Sequence, residues 1–323
     1  MKKNLYIHIG VNKTGTTSIQ NFLDSNKEFL EKNDILYPDF AKIWSAHFPL
    51  AWGLNAGKSP SNYKNIDRVW EKLKEYLDLR SEKNIIISSE NFILLRDIKK
   101  IEYIKSVFAD YNIKVIMFVR SQDLWIESLY LQAIKMGVNV PTFEEYIKRP
   151  GQLLDFNEII LPWEKTFSKN NITIVDFDDK KVKSNLIKNF LEIIDSNIDI
   201  SDIDLLKNEN ESLTRELAEF LLKYNQYFET QKRLEIISFY NKNIRTKASL
   251  NAKYFTDEKR IKFLEKFKQS NQLIEKNYSL GNSIAKYKSN KLNTKANYNE
   301  NEKAEIIENV IQHIFKKINF NDF

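Results

Sequence analysis

The sequence predicts an α/β fold: a central parallel sheet with helices on both faces, followed by a largely helical C-terminal half. Three observations predict it. Four short apolar runs recur with helical segments between them, the first run ends at a glycine and enters a helix through a short loop, and the composition changes near residue 180. Runs that are apolar on both faces fit strands covered from both sides, as in parallel sheets. Strand and helix in alternation is the pattern of a doubly wound fold.

The elements follow in order. Residues 4–9, NLYIHI, read as a buried strand that runs into Gly10, and a helix follows from about Thr16 to Glu31 with Ile19, Phe22, Leu23, Phe29 and Leu30 on one face. Residues 84–89 (NIIISS), 113–119 (IKVIMFV) and 171–177 (NITIVDF) read as three further strands. Helical periodicity fills 66–80, 97–110, 121–136 and 155–168. Beyond Phe177 the chain reads as helices over 182–194, 212–228, 231–242 and 257–276. A polar stretch, 281–303, reads as a loop, and an amphipathic helix near 302–317 carries Ile306, Ile307, Val310, Ile311 and Ile314. The expected organisation is one domain over 1–323, with an α/β core at 1–180 and a helical extension at 181–323 packed on it.

The 323 residues are 42% apolar and 13% aromatic, enough for a substantial core. Lys and Arg total 50 against 44 Asp and Glu, a formal net charge of +6 spread along the chain. That suits an anionic ligand but lacks the dense basic blocks of a nucleic-acid binder. The chain has no cysteine, which excludes disulfides, thiolate metal sites and a Cys nucleophile. Its three histidines, His8, His47 and His313, leave little for a His-based metal site. No run approaches a membrane-spanning length, and the start lacks a signal-peptide core, so a cytoplasmic protein is expected.

The loop Gly10-Val11-Asn12-Lys13-Thr14-Gly15-Thr16-Thr17 joins the first strand to the first helix. A strand that feeds a helix N-terminus through a tight loop converges backbone N–H groups and the positive helix end on one point, which binds phosphate. The GxxxxG spacing of a Walker A loop is present, but Thr16 stands where the Walker lysine belongs. Lys13 inside the loop is set to neutralise the bridging oxygen of a shorter donor, and Thr14, Thr16 and Thr17 add hydroxyl donors. The loop is P-loop-like without being a Walker A motif.

HIGVNKTGTTSIQNFL resembles the 5′-phosphosulfate loop of sulfotransferases that use 3′-phosphoadenosine-5′-phosphosulfate (PAPS), especially bacterial members acting on carbohydrates. The second half of that family's donor site is an Arg after a later strand and a Ser eight residues on. Here Arg120 follows IKVIMFV directly and Ser128 falls at that distance, with the aromatic Tyr130 beyond. The resemblance implies that Asn12, Lys13, Thr14, Gly15, Thr16 and Thr17 hold the 5′ end of the donor, and that Arg120 and Ser128 bind its 3′-phosphate. Arg suits bidentate phosphate contact, and strand C-termini are where open α/β sheets bind ligands. The resemblance is strong over 1–135 and recognisable to about 278, through 208–226 and 254–278. The Arg-Lys-Gly or Lys-Gly-Arg loop that closes the 3′-phosphate site in many members is missing, and we read Arg245-Thr246-Lys247 as its substitute.

Sulfuryl transfer to a hydroxyl needs an aligned acceptor, a base and charge neutralisation at the leaving phosphate. No metal is required. Two residues compete for the base. His47 stands in Trp44-Ser45-Ala46-His47-Phe48, expected to be a loop, and Glu90 ends the second strand in Ser88-Ser89-Glu90. His47 is slightly favoured, as several carbohydrate sulfotransferases use a His, with Glu90 close by to serve as base or orient the acceptor or Lys13. Trp44, Trp52, Tyr63 and Trp70 could stack on sugar rings, although packing roles are the commoner use of such residues. The leading reading is transfer of a sulfuryl group from PAPS to a hydroxyl of a glycan acceptor, with peripheral association with a glycan-assembly system expected and no nucleic acid. The alternatives are a P-loop small-molecule kinase, which lacks its lysine here, and a non-catalytic nucleotide-binding homologue.

Overall fold

Five strands form one sheet: β1 (Asn4–His8), β2 (Ile35–Leu36), β3 (Asn84–Ser88), β4 (Asn112–Val119) and β5 (Ile172–Asp176). The order is β2-β3-β1-β4-β5 and every pairing is parallel. In the computed structural model the described residues are 2–60, 67–148, 154–200, 212–227, 232–245 and 253–280, with Glu308 and Gln312. The polar stretch 281–303 and His313 lie outside them, as does the expected 302–317 helix apart from Glu308 and Gln312.

Alternation along the strands assigns the two faces. Tyr6, Ile86, Ile116 and Phe118 pack under α1 (Thr16–Ser25), α2 (Lys27–Lys32) and α10 (Leu186–Ile194), with Ile19, Phe22, Leu23, Leu30, Phe190 and Leu191. On the other face lie α4 (Val69–Asp78), α5 (Ile98–Val107) and α8 (Phe156–Phe167), with Trp70, Phe92, Phe108 and Trp163 in edge and tilted ring contacts. At the sheet's N-terminal edge an amide ladder holds the register. Asn4 Nδ2 donates to Asn84 Oδ1 at 2.9 Å and Asn112 Nδ2 donates to Asn4 Oδ1 at 3.2 Å.

Two of the expected helices are broken by asparagine. The segment expected as one helix over 16–31 divides at Asn26, whose backbone N and side-chain Nδ2 both donate to Phe22 O, at 3.1 and 2.8 Å. A side chain that competes for the helix carbonyl ends the helix there. Likewise 182–194 becomes α9 (Lys180–Ser184) and α10, parted at Asn185, whereas 257–276 becomes α13 (Asp257–Glu265) and α14 (Lys268–Tyr278), parted at Lys266 and Phe267. The two-residue β2, α3 (Phe48–Trp52) and the 3₁₀ turn Glu90–Leu94 have no counterpart in the sequence reading.

The described residues fall into two compact units. The first draws on Met1–Gln122, Gly151–Asn208 and Leu264–Tyr287, and the second on Asp123–Pro150, Glu209–Phe263 and Lys288–Phe323. The units do not divide at the composition change near 180, since each takes segments from both sides of it. The first unit contains the sheet. The second contains α6 (Gln122–Lys135) from Asp123 on, α7 (Phe143–Tyr146), α11 (Arg215–Tyr227), α12 (Lys232–Asn243) and most of α13. Its core holds Tyr130, Phe143, Tyr254 and Phe255 in mutual ring contact. The buried Arg260 is paired with Asp123 and Glu127 there. Among the described residues no helix is long and apolar enough to cross a membrane.

Candidate active site

The strand order defines where a ligand can enter. The chain leaves β1 toward β2 on one side and leaves β4 toward β5 on the other, so a crevice opens between the C-terminal ends of β1 and β4. The loop after β1 and Arg120 after β4 both lie there. The pairing of β1 with β4 continues into the loop: Val11 N donates to Phe118 O at 2.8 Å and Phe118 N to Gly10 O at 2.7 Å.

The loop conformation depends on its glycines. Gly10 has φ +96°, and a Cβ there would stand 3.3 Å from Glu90 Cα and 3.4 Å from Glu90 Cβ, so the absent side chain lets the two segments touch. Lys13 and Gly15 also have positive φ, 68° and 76°. Buried Thr14 folds back and donates from Oγ1 to Val11 O at 2.5 Å. Gly15 precedes α1 and no side chain caps the helix, while Thr16 is buried, Thr17 exposed and Asn12 and Lys13 half-buried. Gly15, as the residue before α1, brings no side chain of its own to the first-turn amides.

Arg120 bridges the crevice. Its Nη1 donates to Lys13 O at 3.3 Å, its Nε lies 3.5 Å from Asp178 Oδ1, and its guanidinium sits 5.9 Å from the Phe177 ring centroid. Asp178 also accepts from Ser121 N at 2.8 Å. Lys183 of α9 lies 5.8 Å from the same Phe177 ring centroid. Sequence reasoning missed Asp178, whose acidic neighbours give no signal of a partner 58 residues earlier in the chain. Ser128 is half-buried on α6 and belongs to the second unit. Arg245, also in that unit, donates to Ser212 O at 2.8 Å, and Thr246 and Lys247 lie outside the described residues.

Glu90 begins the 3₁₀ turn that follows β3, and Ser89 Oγ caps that turn by accepting from Asn91 N. Gln20 of α1 donates through Nε2 to both Glu90 Oε2 and Ser88 Oγ, each at 3.1 Å. Ser88 Oγ in turn lies 2.8 Å from His8 Nδ1. His8 is fully buried, edge-on to Phe118 and Phe190, and its pKa is lowered to about 3 by burial. Gln20 was also missed, but its signal was legible. Thr16, Ile19, Gln20 and Leu23 share one helix face, and an amide in that stripe asks for a buried partner.

His47 is held differently from expectation. It is the residue before α3, fully buried, and both ring nitrogens are bonded to backbone. Ser88 N donates to Nδ1 at 3.2 Å, so Nε2 carries the proton and donates to Pro38 O at 3.0 Å. Burial lowers its pKa to about 4, against the raising effect of the Pro38 carbonyl. An imidazole so placed fastens the 43–48 segment to β3 and has no nitrogen left to take a substrate proton. The preference for His47 as base is therefore corrected by its hydrogen bonds. Among the sequence-named aromatics, Trp70 is buried and donates to Leu50 O, Trp52 is nearly buried, Trp44 is exposed and Tyr63 lies outside the described residues. Among the described residues no group of three or more His, Asp or Glu side chains could hold a metal ion.

No family model matches the sequence. A relative from Archaeoglobus fulgidus, described as an uncharacterized protein, is 30% identical over 199 residues, which is 60% of this chain. The matched region is 53% of that relative, so the match spans about half of its length. Among solved structures, a sulfotransferase from Alicyclobacillus acidocaldarius superposes with a TM-score of 0.38 at 13% identity, over 73% of this chain and 96% of that one.

Proposed function

We propose that the protein transfers a sulfuryl group from PAPS to a hydroxyl of a carbohydrate acceptor, of the kind found in bacterial surface glycans, in the cytoplasm. The observation that carries this reading is the meeting of Arg120 with the Lys13 carbonyl at the β1/β4 crevice. An anion-binding loop and a guanidinium from separate strands converge there, as a donor with phosphate at both its 3′ and 5′ ends requires. The loop's lysine precedes the second glycine, which suits a phosphosulfate rather than a triphosphate with magnesium.

In this reading Asn12, Lys13, Thr14, Gly15, Thr16 and Thr17 surround the 5′-phosphosulfate, and Arg120 serves the 3′-phosphate. Glu90 is the base. Its carboxylate takes the acceptor proton, the acceptor oxygen bonds to sulfur, and the bond from sulfur to the bridging phosphate oxygen breaks with its electron pair leaving on phosphate. Lys13 and the loop amides neutralise that oxygen as charge develops on it.

The test is calorimetric titration of the product, 3′,5′-adenosine bisphosphate, without magnesium, into wild type, Lys13→Ala and Arg120→Ala. Binding to wild type that weakens at least about tenfold in each variant supports the reading. No binding to wild type, with ATP–magnesium bound instead, would replace it with a kinase.

A further inference from the structure

Trp44 is 86% exposed, the largest aromatic side chain so presented among the described residues. It also sits at φ +53°, a conformation that bulky L-residues rarely adopt. Floppiness does not explain this. Trp44 and Ser45 form the tip of a tight turn in which Ile43 N donates to Ala46 O at 2.9 Å and Ala46 N donates to Ile43 O at 3.1 Å. Tyr37 OH donates to Ser45 O at 2.5 Å and Ser45 Oγ to Asn21 Oδ1 on α1 at 2.7 Å. His47 N donates to Ser88 O at 2.8 Å, two residues before Glu90. The turn is thus fixed both to the helix that follows the phosphate loop and to the strand that carries the proposed base.

The indole continues into an aromatic row. Trp44 meets Phe48 edge-on with centroids 6.4 Å apart, and Phe48 stacks on Trp52 at 5.8 Å with planes 14° apart. At the inner end of the row, Gly57 leaves room for both Trp52 and Asn91, the residue after Glu90. A Cβ on Gly57 would stand 3.6 Å from Trp52 Cδ1 and 2.8 Å from Asn91 Nδ2. Glu90 is also felt at the other end. The Tyr37 hydroxyl that holds the turn has its pKa raised well above normal, by burial first, then by Asp24 and Glu90.

We propose that Trp44 is the platform of an acceptor subsite for a saccharide, with a pyranose ring laid on the exposed indole face and Phe48 bracing the indole from behind. The proposal rests on the reading of Glu90 as base, because the row leads to that carboxylate. The chemistry selects the ligand. An alkyl chain needs an apolar groove with walls, whereas Trp44 offers one exposed indole next in the chain to the polar Ser45, whose hydroxyl is bonded to Asn21. A pyranose has one face of C–H bonds and a rim of hydroxyls, which matches both parts.

The test is a printed glycan array, probed with fluorescently labelled full-length protein in saturating 3′,5′-adenosine bisphosphate. Wild type, Trp44→Ala and Trp44→Phe are compared, and calorimetry of the nucleotide is run on each. The expected result is saccharide binding by wild type, weakened about tenfold or more in Trp44→Ala and partly kept by Trp44→Phe, with nucleotide affinity equal in all three. Saccharide binding that is equal in wild type and Trp44→Ala would overturn the proposal. So would nucleotide binding by wild type with no saccharide bound anywhere on the array. Failure of the donor reading is distinguishable, because it shows as lost nucleotide binding by wild type whatever the array reports.

Discussion

Replacing Gly15 by Ala tests whether the phosphate loop is held in the conformation described. Gly15 has φ +76°, and an added Cβ would stand 2.3 Å from Leu186 Cδ2 and 3.2 Å from Phe177 Cε2. The left-handed conformation costs an L-residue about 1–2 kcal/mol. Pushing the Leu186 methyl aside adds about 1–2 kcal/mol, near the lower end for overpacking because the obstacle is the tip of a side chain. Gly15→Ala should therefore lose about 2–4 kcal/mol in urea unfolding, and Tm should fall by several degrees. The cycle with Leu186→Ala separates the two causes. In that background the added methyl meets no obstacle at Leu186, and the conformational cost of about 1–2 kcal/mol should remain together with the lesser contact at Phe177. An equal cost in both backgrounds would refute Leu186 as the obstacle. A cost in wild type below about 0.5 kcal/mol would refute the left-handed loop itself.

Two further outcomes follow from the buried polar groups. Gln20→Leu removes the donor to the Glu90 carboxylate, and a hydrogen bond to a charged group is worth about 1.5–3 kcal/mol. On the proposed reading, turnover of PAPS with a saccharide acceptor should fall about 10- to 100-fold while binding of 3′,5′-adenosine bisphosphate is unchanged. Unchanged turnover would remove Gln20 from any positioning role. His47 has a folded pKa of about 4 against 6.5 unfolded, so the unfolded state takes up the proton first as pH falls. Its contribution is complete above pH 6.5 and is lost as pH falls toward 4, an amount on the order of 3 kcal/mol. His8 adds a loss of the same sign that extends to about pH 3. Urea unfolding at pH 7, 5.5 and 4 should show a smaller decline in His47→Asn than in wild type, and equal declines would count against the neutral buried imidazole.

Four of the five strands were legible because each carries a run dominated by apolar residues, as in IKVIMFV, whereas the two-residue β2 is too short to show one. The crevice was legible because GVNKTGTT stands between a strand and a helix, and because Arg120 follows the next neighbouring strand directly. Helix ends were less so, since Asn26 and Asn185 break helices through local bonds that leave the apolar period intact. The roles of the two base candidates were not legible. Both are polar residues near a strand end or loop, and what separates them is tertiary. The Ser88 amide and the Pro38 carbonyl take both nitrogens of His47, and no spacing in the sequence announces either bond.

The last row of the sheet argues for a role of its own. His8 and Ser88 are register partners at the C-terminal ends of β1 and β3, and Gln20 ties Ser88 to Glu90. Burying an imidazole, a hydroxyl and an amide costs desolvation that apolar residues avoid, and stability alone favours a well-packed hydrophobic substitute. His8 Nε2 has no hydrogen-bond partner among the described residues, so the cost is not even fully recovered. What the chain of bonds does provide is direction. The Gln20 amide is held by Ser88 on one side, which leaves its second N–H aimed at Glu90 Oε2. A carboxylate at the end of a strand, next to a glycine with no side chain and gripped from the phosphate-loop helix, has little freedom to swing away from the crevice. Local polarity against the interest of stability, placed at the C-terminal ends of β1 and β3, is what the proposed role of Glu90 would require.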